Sequence, residues 1–412
     1  MKRFKQLFKA TLLAFLCSLT TPVSAGLSVD PLLLTKMDSV QISLLTCGPG
    51  GKAYELYGHT AHRIEGYDFT FTDSRGREHT FKDVAVNWGM FSFKENNFYL
   101  KFVLGYTDYH IAIEPMFAFL EEYEDEGRWV RQQVLNLSQE EKASILAAVI
   151  KNDEPQNSVY RYNYFYDNCT TRAAHMIADH IGGQMIVEDA DCDALPHPTF
   201  RECIHQYNEK QRWARMGNDL LLGLMSDCGI TQEQTRFLPI NLMNFYEQAA
   251  IQEGDSARRL CVESKIILED DGRHIFSTYN TPLRVFGFFF MLTLILTGYE
   301  KKFHWDLWPM DAVLLLITGV GGLILTLMIF SQHPTVRLNL QILFFNPVSL
   351  AVLWPLSKKM RYRQYHWFWK FYATCIFLFL IGNFFQNYAE AMNFLALSLL
   401  IRCLRHLHTD NS

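Results

Sequence analysis

The stretch Tyr160-Arg161-Tyr162-Asn163-Tyr164-Phe165-Tyr166-Asp167-Asn168-Cys169-Thr170-Thr171-Arg172 decides how the rest of the chain is read. An Asp-Asn pair is a good helix N-cap, because a short polar side chain there accepts from an amide that the first turn leaves unpaired. Beyond it Ala173, Met176, Ile177 and Ile181 recur at helical spacing until Gly182-Gly183, so the pattern predicts a helix that begins at Cys169. The unpaired amides and the helix dipole favour a thiolate at that position, and the same amides can hold an oxyanion. Asn168 and Thr170 flank the sulfur and make up this helix start.

A thiol nucleophile needs a base, and Leu56-Tyr57-Gly58-His59-Thr60-Ala61-His62-Arg63-Ile64 lies upstream. On a strand His59 and Ala61 share one face and His62 takes the other, so only one histidine can face the helix. Gly58 leaves room for close approach beside His59, which makes His59 the candidate base.

Around these two segments short apolar stretches alternate with turn signals, as where Ile42-Ser43-Leu44-Leu45-Thr46 precedes Gly48-Pro49-Gly50-Gly51. Strands are expected at about 41–46, 58–64, 68–72 and 84–88, and helices over 117–126 and 138–150. Ser138 with Glu141 makes a capping box for the latter helix. This half of the chain is therefore of the α+β class.

Further out the composition divides, and the average of 49% hydrophobic residues conceals a mixed, charged part over 26–281 and apolar runs over 283–403. A helix needs about 17–25 apolar residues to cross hydrocarbon. Spans are expected near 283–299, 311–330, 338–356, 367–385 and 388–403, an all-α bundle of about five helices. Lys301, Lys302, Lys358, Lys359, Arg361, Arg363 and Arg405 fall in alternate loops, whereas the opposite loops carry only Arg337. Basic residues gather on the cytoplasmic side, so the C-terminus is expected inside and the domain before Leu283 outside.

The N-terminus agrees with that topology. Met1-Lys2-Arg3, Lys5 and Lys9 precede an apolar stretch from Thr11 to Leu19 and the small-residue exit Val23-Ser24-Ala25-Gly26, the order of a secretory signal peptide cleaved after Ala25. The expected organisation is a signal peptide over 1–25, a periplasmic catalytic domain over 26–281, a transmembrane domain over 282–404 and a cytoplasmic tail over 405–412. The net charge of −5 comes without a basic stripe, so nucleic acid is not an expected partner.

Two features have structural alternatives. Cys47, Cys169, Cys192, Cys203, Cys228 and Cys261 form an even set that could pair completely in an exported domain, with Cys192 and Cys203 bridged across a short loop. Asn339, Gln341, Asn346 and Ser349 lie in the third span with His333 just before it. Polar groups at that depth are functional candidates, and helix-to-helix hydrogen bonding is the competing explanation.

At these residues the chain resembles a known family, the membrane proteins with an Lnb-type N-terminal periplasmic domain. The matching pieces are Leu45-Thr46-Cys47-Gly48-Pro49-Gly50, Tyr57-Gly58-His59-Thr60-Ala61-His62-Arg63, Val86-Asn87-Trp88-Gly89-Met90-Phe91 and Asp167-Asn168-Cys169-Thr170-Thr171-Arg172. In the membrane half, Ser331-Gln332-His333-Pro334, Asn339 and Asn346-Pro347 match as well. Such domains are similar to circularly permuted papain-like proteins of the NlpC/P60 and lecithin:retinol acyltransferase group, in which the histidine strand precedes the cysteine helix.

The resemblance implies a polar third member on the strand after the histidine, which points to Asn87, with His62 and His79 as weaker candidates. It implies lipoprotein N-acyltransfer at the bacterial inner membrane, from a phospholipid donor through a thioester on Cys169 to the free N-terminal amine of a lipoprotein. No metal or soluble cofactor is implied. Phe98, Tyr99, Phe102, Val103 and Tyr106 would then form an interfacial aromatic patch that admits an acyl chain, or else an ordinary amphipathic core segment. Two other functions fit the same residues: a membrane-anchored peptidase or amidase acting on peptidoglycan, and a non-enzymatic binding domain with Cys169 in a disulfide.

Overall fold

Alternating apolar and polar residues build a sheet with two distinct faces in the first half of the chain. The structure, a computed structural model, describes residues 31–52, 54–92, 96–187, 197–272 and 279–407. The expected signal peptide, Cys192 and the end of the expected tail lie outside the described residues. Strands β1 (Gln41–Cys47), β2 (His59–Thr72), β3 (Glu78–Met90), β4 (Asp108–Pro115), β5 (Val130–Leu135) and β6 (Val159–Arg161) come first. They are followed by β7 (Gln184–Ile186), β8 (Ala250–Glu253), β9 (Ser256–Arg259) and β10 (Cys261–Leu268). A seven-stranded antiparallel sheet runs in the order β10-β5-β1-β2-β3-β4-β6, and β7-β8-β9 form a small separate sheet.

The strands expected at 58–64 and 68–72 are one strand, because the pairing of β2 with β3 continues across an irregularity between Glu65 and Phe69. After a single helical turn at Pro31–Leu34, the helices of this half are α1 (Phe98–Leu104), α2 (Met116–Asp125), α3 (Gln139–Asp153), α4 (Cys169–Ala178), α5 (Phe200–His205), α6 (Arg212–Leu221) and α7 (Pro239–Gln248). Ile42, Leu44, Ile64, Val84, Val86 and Trp88 face a core completed by α3, α4 and α7. Leu45, Cys47, Ala61 and Ala85 face the other way, against Met116, Phe119 and Tyr123 of α2. Ser138 and Glu141 cap α3 reciprocally, as expected from the sequence.

The membrane half consists of α8 (Pro282–Phe303), α9 (Trp308–Ile329), α10 (Val348–Arg361), α11 (Phe368–Gly382) and α12 (Met392–Leu407). By length and composition α8, α9 and the interrupted segment Pro334–Arg361 can cross a membrane, and α11 is a shorter apolar helix.

The third span differs from expectation. In place of a continuous helix over 338–356, the chain makes short turns at Pro334–Arg337 and Leu340–Leu343 before α10 begins at Val348. Pro334 and Pro347 remove two amide donors. Asn339 and Asn346 replace helical bonds with local ones, their Oδ1 atoms accepting from the amides of Gln341 (3.0 Å) and Val348 (3.1 Å).

That break is one place where the two halves meet. Gln341 Nε2 donates to Asp219 O (2.8 Å), Asn339 Nδ2 to Leu220 O (2.9 Å) and Gln386 Nε2 to Leu222 O (3.1 Å), so membrane-side amides satisfy carbonyls at the end of α6. Beside them Arg201, 1% exposed, pairs with Asp219 (2.7 Å) and Asp227 (2.8 Å). Asp227 also accepts from both nitrogens of Asn387. The opposite end of the block carries a second buried knot, in which Arg402 pairs with Asp311 and Glu300 and His406 pairs with Asp311.

Candidate active site

His59 opens β2 directly after Gly58, whose φ of +79° no β-branched or bulky residue adopts readily. A Cβ on Gly58 would also lie 2.5 Å from the Cys47 carbonyl oxygen, so only glycine lets the chain turn into the strand there. The register pairs Ala61 with Asn87, which puts Asn87 on the same sheet face as His59. His59 Nε2 donates to Asn87 Oδ1 at 3.0 Å, and Asn87 Nδ2 donates to Glu114 Oε1 on β4 at 2.7 Å.

Cys169 is the first residue of α4, as expected, and is partly exposed. Asn168 caps it: Oδ1 accepts from the Thr171 amide (2.9 Å), while the Asn168 amide donates to Thr171 Oγ1 (2.8 Å). Asn168 Nδ2 donates to the carbonyls of Tyr164 (2.8 Å) and Phe237 (2.9 Å), so this side chain is fully used in building the helix start. Thr170 Oγ1 shares a hydrogen bond with Thr60 Oγ1 at 3.0 Å, which ties α4 to β2 next to His59. From the first turn of the helix Arg172 grips Asp167 (2.7 and 2.9 Å), just ahead of it, and lies over the Tyr160 ring, 3.4 Å from its centroid.

The third strand completes the approach. At Gly89 the φ is +89°, and a Cβ would sit 3.5 Å from Cys169 Cβ and 3.8 Å from the Tyr160 hydroxyl, just where the β3–β4 register slips between Asn87 and Met90. A bulge with a glycine re-aims a strand locally. Here it passes β3 closely beside Cys169.

Burial raises the Cys169 thiol, but the His59 ring, the Thr60 main chain and the Thr170 hydroxyl outweigh it, and the thiol falls from 9.0 to about 7. Burial lowers His59, yet the Cys169 charge and hydrogen bond together with Asn87 raise it above 6.5 on balance. Each group stabilises the ionised form of the other. Burial and the neighbouring Glu122 raise the Glu114 carboxyl. With Nε2 engaged by Asn87, Nδ1 is the ring atom left for the sulfur.

The remaining candidates lie elsewhere. His62 is fully buried on the opposite face, its ring edge-on to Trp88 at 5.4 Å with both nitrogens unpartnered, and burial pushes it down to about 3. His79 is exposed in a hairpin and lies 3.3 Å from Asp73. His333 caps a short turn and packs against Gly105 at the end of α1, and Asn339 and Asn346 serve the break in the third span. Their neighbours are groups of the membrane half, α6 and, for His333, the end of α1, not the Cys169–His59 pair.

Of the expected pair Cys192 and Cys203, the first lies outside the described residues. Cys203 is a free thiol, 2% exposed in a cluster with Phe165, Phe200 and Phe237. Cys47, Cys169, Cys228 and Cys261 are free as well, which removes the basis for a disulfide at Cys169.

Glu114 escaped the sequence reading. The sequence carried no distinguishing sign, because Glu114 alternates with Ile111 and Ile113 on the face it shares with Asp108 and His110, as an ordinary solvent-facing acid would. Among the described residues no cluster of histidine, cysteine and carboxylate side chains is arranged to hold a metal ion.

Past the end of β3 a row of aromatic rings runs into α1, with Phe98 buried in its middle. Phe91 stacks on Phe98 at 5.7 Å and Phe98 on Phe102 at 6.2 Å, and Phe102 and Tyr106 are exposed. At the far end of α1 the Gln332 amide, just beyond α9, donates to Leu104 O at 2.9 Å.

Neither a curated protein nor a solved structure matches this chain. Family models match both halves: the Lnb N-terminal periplasmic domain over residues 34–206 and the Lnb transmembrane domain over 274–411. The first match contains His59, Asn87, Glu114 and Cys169, and the second contains the helical block with its broken third segment. With both domains present in order, this chain, a membrane protein with a periplasmic domain, belongs to the Lnb-type family.

Proposed function

We propose that this protein is a cysteine-dependent lipoprotein N-acyltransferase of the bacterial inner membrane. It spans the bilayer several times and holds its catalytic domain in the periplasm. The observation that carries the reading is a free, partly exposed Cys169 at a helix start, with its thiol lowered to about 7 beside His59. His59 takes the thiol proton, and the thiolate attacks the ester carbonyl of a phospholipid. The lysophospholipid alkoxide leaves with that proton, and the acyl group stays on sulfur as a thioester. The N-terminal amine of a diacylglyceryl-cysteine lipoprotein then attacks the thioester. An amide forms, the thiolate is released, and the amine's surplus proton passes to His59.

Charge developing on the carbonyl oxygen meets the free amides of the first turn of α4, including that of Thr170. The Tyr160 hydroxyl, buried and without a partner against Gly89, is a further donor beside the sulfur. The exposed rings of Phe102 and Tyr106, on and just after α1 where Gln332 holds it to the end of α9, support the choice of a lipid donor, because they place apolar surface next to the membrane half.

The test is acyl loading. Purified protein incubated with labelled phospholipid is expected to carry a fatty acyl group on Cys169, released by neutral hydroxylamine and discharged by a lipoprotein bearing a free N-terminal amine. Unmodified Cys169, with turnover of a peptidoglycan peptide instead, would move the assignment to the peptidase.

A further inference from the structure

We infer that Glu114 is a positioning residue that sets which nitrogen of His59 carries the proton. It rests on the reading of Cys169 as nucleophile and His59 as base. An asparagine amide is a donor at one end and an acceptor at the other, and a neutral imidazole is equally two-sided. His59 and Asn87 alone can therefore hydrogen-bond in two ways. With the amide oxygen toward the ring, Nε2 holds the proton and Nδ1 is bare. With the amide NH2 toward the ring, Nε2 is bare and the proton sits on Nδ1, where it blocks uptake from the thiol.

A carboxylate accepts only, so it breaks the tie. Glu114 Oε1 takes the Asn87 Nδ2 donor at 2.7 Å and turns Oδ1 toward His59 Nε2, 3.0 Å away. The arrangement is held by the sheet. Asn87 is 2% exposed, and Glu114 stands opposite Ala85, diagonal to Asn87 on the same face. Asn87 thus relays the acceptor-only character of Glu114 to the ring, and Glu114 itself touches neither sulfur nor substrate.

The test uses two readouts on the full-length protein in detergent: the pH profile of Cys169 alkylation by iodoacetamide, which needs no acyl substrate, and acyl loading from labelled phospholipid. In Glu114→Leu the alkylation midpoint is expected to rise by about one pH unit or more, and loading to slow roughly ten- to a hundredfold. Glu114→Gln, isosteric but two-sided, restores the tie and is expected to fall between this variant and the native protein.

The decisive variant is N87D/E114Q. A carboxylate at 87 accepts from Nε2–H whatever stands at 114, so the double variant is expected to recover the native alkylation midpoint and to load faster than Glu114→Gln. A purely structural Glu114 predicts no such rescue. Native profiles in both single variants, or a double variant no better than Glu114→Gln, would overturn the inference. Alkylation profiles that move as expected without any acyl loading would leave the positioning intact and refute the lipid substrate.

Discussion

Cys169 and His59 shift each other's proton affinity in opposite directions, the sulfur down to about 7 and the imidazole up. Alkylation of Cys169 should therefore follow a titration centred near pH 7, and in His59→Ala that midpoint should climb toward the ordinary thiol value of 9.0. Cys169→Ser and His59→Ala should each lower acyl transfer by about a thousandfold or more while the protein remains in the membrane. His62 behaves differently, because burial holds it neutral down to about pH 3. Between about pH 6.5 and that value the unfolded chain binds a proton at this residue and the folded chain does not, so stability declines as the pH falls through the window. The slope contributed is about 1.4 kcal/mol per unit. His62→Phe should flatten it in thermal melts of the detergent-solubilised protein at pH 4 to 7.

At the level of elements, the start of α4 depends on Asn168, whose side chain makes the cap and two carbonyl contacts. Asn168→Ala is expected to cost about 1–3 kcal/mol in thermal or denaturant unfolding, and to raise the alkylation midpoint of Cys169 as the first turn frays. The helix was legible because capping is local: Asn168, Ser138 and Glu141 declare themselves within a few residues. That His59 and His62 take opposite faces was legible for a similar reason, since alternation on a strand is a property of one short segment. Which face the helix covers was not: α4 packs on the side of Ile64 and Trp88, where His62 lies, and His59 is set beside Cys169 by its place at the start of β2. Glu114 was not legible, because its partner is set by the register of β3 against β4, and register depends on the whole sheet. The broken third segment was misread because a hydropathy average does not register that Pro334, Pro347, Asn339 and Asn346 each offer the chain an alternative to helical bonding.

Across the whole molecule, Arg201 joins Asp219 and Asp227 near the point where Asn387 of the membrane half meets the same aspartate. Arg201→Leu leaves the buried Asp227 without its cation and Asp219 with only His205 and Arg215 beside it, and a loss of about 3–5 kcal/mol is expected, read as a lowered midpoint in thermal melts. The membrane side of that junction has a bearing on biogenesis. Gln341, Asn339 and Gln386 are almost wholly buried, and their amide donors end on carbonyls of residues 219–222. Until that segment has folded, Asn339 Nδ2 lacks its acceptor and the Gln341 and Gln386 amides keep only the shared Asn339 Oδ1 (3.4 and 3.0 Å), at a cost of about 2–7 kcal/mol for each group left unpaired. Insertion and maturation are then separate events: the helices can enter the bilayer as they are made, but the third segment locks only once the periplasmic half is in place. A membrane half expressed without residues 26–281 should accordingly reach the membrane and then be cleared by quality-control proteases, while the same half co-expressed with the missing domain as a second chain should persist.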